Sequence, residues 1–215
     1  MRLFQTYVLI TSTREGGDNL YVRGFSHLLG SVELIVVGGN RPNSKRKASL
    51  SKGIQIKAQV YQKNRLYLSE FLVTARYYEP LTSSGQFEYL NAVLKLIEAF
   101  ALDPNLAVFE RIHQALSHSA NFSKQLQLFL YLLNTYHIIS PTALKCSNCN
   151  KLVTNGRTDL SKSLCTKCLQ NSSHSEGLPL GWNLGSYQGL ASTINEILRF
   201  YGLLGASYNL EAFYN

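Results

Sequence analysis

Apolar and polar residues alternate with a period of two through the first 75 residues of the chain. The clearest case is Ile54, Ile56, Ala58 and Val60 alternating with Gln55, Lys57, Gln59 and Tyr61. That pattern predicts a strand with one buried and one wetted face. Leu3 to Thr11, Asn19 to Ser26, Val32 to Val37 and Arg65 to Ala75 read as four more strands. Gly16, Gly17 and Asp18 supply a turn between the first two, and Gly38 and Gly39 close the third. Five short strands with hardly a helix among them predict a small closed barrel. A five-stranded OB-type barrel fits the count, and so does an SH3-like barrel.

The period changes after Pro80. Phe87, Leu90, Leu94, Ile97 and Ala101 follow helical spacing, as do Leu106, Phe109, Ile112 and Leu116, and then Leu126, Phe129, Leu130 and Leu133. Asp103 and Pro104 read as the start of the second helix and Ser123 as the cap of the third. Ser140 precedes Pro141, so the third helix must end before it. Leu190, Ile194, Ile197, Leu198, Tyr201 and Leu204 form the stripe of a last helix. Alone it could not bury that stripe, so it is expected to return to the earlier helices, with Trp182 in the packing. His113 and His137 read as packed or partly exposed side chains.

The 215 residues are 45% hydrophobic, enough for a core, and carry a net charge of +8. The charge is uneven. Residues 1–80 hold twelve Lys/Arg against five Asp/Glu, and residues 81–140 hold three against four. The barrel is therefore the candidate surface for a polyanion. Arg41, Lys45, Arg46, Lys47 and Lys52 lie in one acid-free stretch before Gly53, read as an exposed, mobile arm that grips phosphates. Arg23 and Lys57 lie on neighbouring strands, and Tyr61, on the polar face of its strand, is the best-placed ring for stacking a base. No apolar run approaches the length of a membrane span. Leu3 to Thr11 is too short and too mixed for a signal-peptide core, which predicts a cytoplasmic protein with reduced cysteines.

All four cysteines fall in one stretch. Cys146 and Cys149 are two residues apart, fifteen residues follow, and Cys165 and Cys168 repeat the gap. This is the spacing of a four-cysteine zinc ribbon. Each knuckle aims two sulfurs at one point, and the insert is long enough to fold back as a hairpin, with Asn155 and Gly156 as a turn signal. Two disulfides would need a secreted chain, and a redox pair would need no second copy. Four thiolates leave no position for a catalytic water, so the Zn²⁺ is expected to be structural. Lys145, Lys151, Arg157, Lys162 and Lys167 offset the charge of the thiolates, and the ribbon is expected to brace the fold.

Catalytic motifs are missing from the sequence: there is no P-loop and no zinc-protease helix motif. His174 and Glu176 match a deaminase signature only in the wrong order, behind the cysteines. No paired carboxylates suggest a two-metal nuclease. The expectation is a binding protein, not an enzyme.

Four stretches together resemble the RecO family of bacterial recombination mediators over about residues 5 to 200. They are Thr6 to Ile10 with the following turn and Leu20 to Val22; Leu29 to Lys45 with its glycines, strand, Arg41, Pro42 and Ser44; Phe87 to Leu102 with Leu106 to Phe109; and Leu128 to Leu133, leading through Pro141 and Leu144 into Cys146. The resemblance implies an OB barrel, a helical domain and a zinc ribbon, and with the last helix the chain is expected to be α+β in four parts. These are an OB-type DNA-binding barrel (1–80), a small α-helical bundle (81–143), a zinc ribbon of four cysteines (144–170) and a C-terminal helical segment (171–215) that returns to the bundle. It implies binding of single- and double-stranded DNA, annealing of complementary strands, and loading of RecA onto DNA coated by single-strand DNA-binding protein. Implied partners are RecR and the C-terminal tail of single-strand DNA-binding protein, with RecA engaged indirectly, at the nucleoid. The DNA-contacting element would be Arg41, Lys45, Arg46, Lys47 and nearby strand residues. An RNA-binding zinc-ribbon factor of transcription or ribosome assembly is the alternative for the same parts.

Overall fold

The computed structural model describes residues 2–101, 103–170 and 180–203. Leu204, Leu102, the expected polar loop from Asn171 to Glu176, and the His174 and Glu176 pair lie outside the described residues. Five strands close a barrel in the order β1-β2-β3-β5-β4: β1 (Arg2–Gly16), β2 (Asn19–Ser26), β3 (Gly30–Val36), β4 (Ile54–Gln62) and β5 (Leu66–Arg76). All pairs are antiparallel except β3 with β5.

One strand makes the closure possible. The first half of β1 pairs with β4 and its second half with β2, and the register slips between Ile10 and Ser12. Such a bulge bends a strand and raises its twist, so β1 turns a corner of the barrel. Gly24 stands opposite that corner, where an added Cβ would lie 2.4 Å from the Leu9 carbonyl oxygen. The first strand is therefore longer than the pattern predicts, because its outer residues are polar where they leave the core. Val8, Ile10, Val22, Leu34, Ile56 and Val60 fill the interior, and Leu50 covers it after a one-turn helix, α1 (Lys45–Ser49).

The helical part consists of α2 (Ser84–Phe100), α3 (Leu106–Leu116), α4 (Phe122–Thr135) and, far along the chain, α6 (Tyr187–Phe200). A capping box starts α2: the Ser83 hydroxyl accepts from the Gln86 N–H, and the Gln86 side chain accepts in return from the Ser83 N–H. The other starts differ from the expected ones. Asn105, not Asp103, caps α3 by accepting from the Val108 N–H, and Asn121, not Ser123, caps α4 by accepting from the Lys124 N–H. In both cases the asparagine directly precedes a large apolar residue, and its extended backbone lets the amide oxygen reach back to the third N–H. Asn121→Ala should cost about 1 kcal/mol in urea unfolding, and Ser123→Ala less than about 0.5 kcal/mol.

As expected, α6 returns to α2, and Leu190, Ile194 and Ile197 join Leu94, Leu96 and Phe129 in one core. That core also takes in Leu9 and Phe25 from the outside of the barrel. Polar contacts reinforce this joint. The Arg23 guanidinium lies 3.0 Å from Glu33 and 3.7 Å from Glu98 of α2, and the Ser12 hydroxyl donates to Glu98. The Tyr77 hydroxyl donates to Gln55 of β4 and sits 2.7 Å from Nδ1 of His113 on α3. His113 is thus a packed histidine. His137 is exposed, with φ of 52°, where the chain leaves α4. Among the described residues no helix is long and apolar enough to cross a membrane.

Candidate metal centre and nucleic-acid interface

Cys146 follows a 3-10 turn, Pro141–Leu144, and begins the first knuckle. Its N–H donates to the Lys151 carbonyl while its carbonyl accepts from the Asn150 N–H, and Asn150 takes a φ of 56° to complete the loop. The insert does fold back as a hairpin, β6 (Asn155–Thr158) with β7 (Ser163–Cys165). Cys165 then precedes the short helix α5 (Thr166–Leu169), which carries Cys168.

Asn155 and Gly156 are not the turn of this hairpin. They lie within β6, and the turn is made by Asp159, whose carboxylate accepts from the N–H groups of Ser161 and Lys162. Burial raises the Asp159 carboxyl, but a bond from the Ser161 hydroxyl, these two N–H bonds and the charge of Lys162 outweigh it and hold the carboxyl below its usual range. Gly156 serves a different need. It pairs with Cys165, and an added Cβ would sit 2.0 Å from the Leu164 carbonyl oxygen. Gly156→Ala should therefore force the hairpin apart. We expect the variant to lose metal to a competing chelator at about tenfold lower chelator concentration.

The ribbon is also larger than the spacing suggests. A third strand, β8 (Leu180–Asn183), pairs with β6 from beyond the expected boundary at 170. Trp182 belongs to this strand. It is 2% exposed, donates its indole N–H to the Val153 carbonyl at 2.7 Å, and packs on Phe129 of α4.

The four sulfurs lie within 4.8 Å of one another, and those of Cys149 and Cys165 are 3.8 Å apart. All four are free thiols. A disulfide would bring two sulfurs to about 2.05 Å. A tetrahedron of thiolates about 2.3 Å from a zinc ion has edges of about 3.8 Å, so the residues fit a tetrahedral metal ion. Burial raises the Cys146 thiol, but the N–H groups of Cys165, Cys149 and Asn148 outweigh it and bring it to about 6. Hydrogen bonds with the Cys165 and Cys146 sulfurs push the Cys168 thiol up to about 12. Cys146 and Cys168 are thus driven in opposite directions within one cluster, a conflict that a bound dication removes.

The basic stretch on the barrel is more ordered than the expected free arm. Lys45, Arg46 and Lys47 form the exposed turn of α1, which is braced to the β1–β2 turn. Arg41 lies 3.1 Å from Asp18, and Lys47 lies 2.6 Å from Glu15 and donates to Asn40. Through its hydrogen bond and its charge, Lys47 holds the Glu15 carboxyl below its usual range. Arg46 donates to the Ser69 carbonyl of β5 at 3.2 Å. Lys52 is exposed beyond α1. The acids that brace the stretch are distant in sequence and carry no local signal.

The remaining expected residues are dispersed. Lys57 is exposed on β4, between Tyr7 and Leu72 in register. Arg23 belongs to the joint with α2 and is not part of the α1 surface. Tyr61 is half-buried and stacks on Tyr67, with ring centroids 5.0 Å apart and planes 8° from parallel. The sequence does not single out Tyr67. Its place in the strand pairing, opposite Tyr61, is what puts it outside. No protein-family model matches the chain, and no curated protein matches it.

Proposed function

We propose that the protein is a non-enzymatic recombination mediator of the RecO type. It binds single- and double-stranded DNA, anneals complementary strands, and assists exchange of single-strand DNA-binding protein for RecA together with RecR. The observation that carries this reading is a barrel closed in the order β1-β2-β3-β5-β4, with a basic α1 between β3 and β4, followed by a helical bundle and a four-cysteine hairpin. That strand order supports an OB-type barrel over an SH3-like one. On this reading the metal is Zn²⁺, held by Cys146, Cys149, Cys165 and Cys168; when bound it supplies cross-linking, not catalysis.

DNA would lie against Arg41, Lys45, Arg46, Lys47 and Lys52. The ion pairs of Arg41 and Lys47 are solvent-exposed. Such pairs are weak, so a phosphate can replace the carboxylate without leaving a buried charge behind. The acids would then hold the basic side chains in place until DNA arrives.

The test is strand annealing. Complementary oligonucleotides coated with single-strand DNA-binding protein are mixed with the protein in the absence of nucleotide. Wild type should accelerate annealing, and a variant with Arg41, Lys45, Arg46 and Lys47 changed to alanine should lose most of the acceleration. If wild type gives no acceleration, the mediator reading fails, and a preference for RNA of the same sequence would favour the zinc-ribbon RNA factor instead. Acceleration that survives in the variant would move the DNA site off α1.

A further inference from the structure

The strand register carries one row of side chains all the way round the barrel. Arg14 of β1 pairs with Tyr21 of β2, Tyr21 with Ile35 of β3, Ile35 with Tyr67 of β5, Tyr67 with Tyr61 of β4, and Tyr61 with Leu3 back at the start of β1. None of these residues belongs to the barrel core or the helical core. The three tyrosines are half-buried, Leu3 is exposed, and Ile35 is buried between two of the rings in register. This is an apolar, mostly aromatic belt on the outside of a closed barrel.

Cations flank the rings. The Arg14 guanidinium lies 4.5 Å over the Tyr21 ring, and the Lys63 ammonium is 6.0 Å from the centre of the Tyr61 ring. The row itself contains no acid. In the next row Glu33 is paired with Arg23, and Glu70 is the remaining carboxylate. The basic α1 borders the belt, since Arg46 is bonded to Ser69, two residues along β5 from Tyr67.

We propose that this belt is a base-stacking track for a single-stranded nucleic acid, an inference that rests on reading the barrel as a nucleic-acid module. Every base offers a planar face, but only an unpaired strand can turn that face to a protein ring. Tyr61 and Tyr67 already hold each other parallel, so they lose little freedom when a base adds to the stack. The ammonium of Lys63 and the guanidinium of Arg14 give the track positive charge to attract the phosphates of such a strand. A second copy of this chain is a poorer occupant. A two-fold contact across the belt would bring Arg14 and Lys63 towards their own counterparts, setting like charges together.

The belt predicts a base-dependent part of the affinity that electrostatics cannot give. Binding is measured by fluorescence anisotropy with two labelled strands of equal length, an oligothymidylate and a strand made of abasic sites, which carry the same phosphates. Wild type should bind the thymidylate more tightly by about tenfold per stacked base. Tyr61→Ala with Tyr67→Ala should remove that preference and leave abasic binding and its salt dependence unchanged, whereas Tyr61→Phe with Tyr67→Phe should retain it. Equal wild-type affinity for the two strands overturns the track while leaving the barrel a nucleic-acid module. Failure to bind either strand overturns both readings. Self-association of the wild type that the alanine pair abolishes would assign the belt to a second copy and also overturn the track.

Discussion

Stripping the metal, or changing Cys146 to serine, should unfold the ribbon and release Trp182 into water. A structural Zn²⁺ in a four-thiolate site contributes about 10–16 kcal/mol of apparent binding energy. That is as large as the whole stability of an ordinary domain, and the ribbon has little to replace it. Its three strands are three or four residues long, and the described part of its sheet buries little apolar area apart from Val153, Leu160, Leu164, Leu180 and Trp182. Cys146 is the sensitive position because it is the buried ligand, 1% exposed, and its sulfur accepts from the Cys165 N–H. The chain has one tryptophan, so its emission reports on this region alone. A red shift on chelation, reversed by added Zn²⁺, is the expected result. Unchanged emission after complete metal removal would mean that packing holds the ribbon by itself.

Trp182→Ala is expected to cost about 3–5 kcal/mol. The indole fills the seam between the ribbon and α4, and its N–H satisfies the Val153 carbonyl. Removing the ring leaves a cavity at that seam and strands a buried acceptor, two penalties that act together. Trp182→Phe retains most of the volume and should lose about 1–2 kcal/mol. Urea unfolding followed by circular dichroism would measure both losses. The barrel's own core includes no residue of the ribbon, so the alanine variant should keep a folded barrel at low denaturant. Equal stability of the alanine variant and the wild type would show that the seam carries little of the fold.

What was legible in the sequence depended on how local the physical cause was. The alternation in β4 and the cysteine spacing are set by residues within a few positions of one another, and both correspond to what the structure contains. Interactions between distant parts of the chain decided the rest. Asn155 and Gly156 look like a turn until Cys165 is seen passing over Gly156. The Arg41 to Gly53 stretch reads as unstructured because its partners, Glu15 and Asp18, are between about twenty and thirty residues earlier. The four residues of β8 are too few to show a period, and their partner β6 precedes them by some twenty-five positions. The belt around the barrel was hidden for the same reason, since its members come from five strands and only pairing aligns them.

The position of β8 and α6 along the chain bears on how the molecule is assembled during synthesis. The barrel is complete by Arg76, so it can close while the ribosome is still making the helices. The bundle cannot, because the apolar flank of α2 waits for α6, which is made about ninety residues later, after both cysteine knuckles. Between those moments a nascent chain exposes an unfinished helical surface. Capture of a metal ion by the knuckles would shorten the path between α4 and α6 before the last helix docks. Metal starvation should therefore act first on newly made chains, leaving a folded barrel tethered to an open bundle, while molecules already closed around the metal persist.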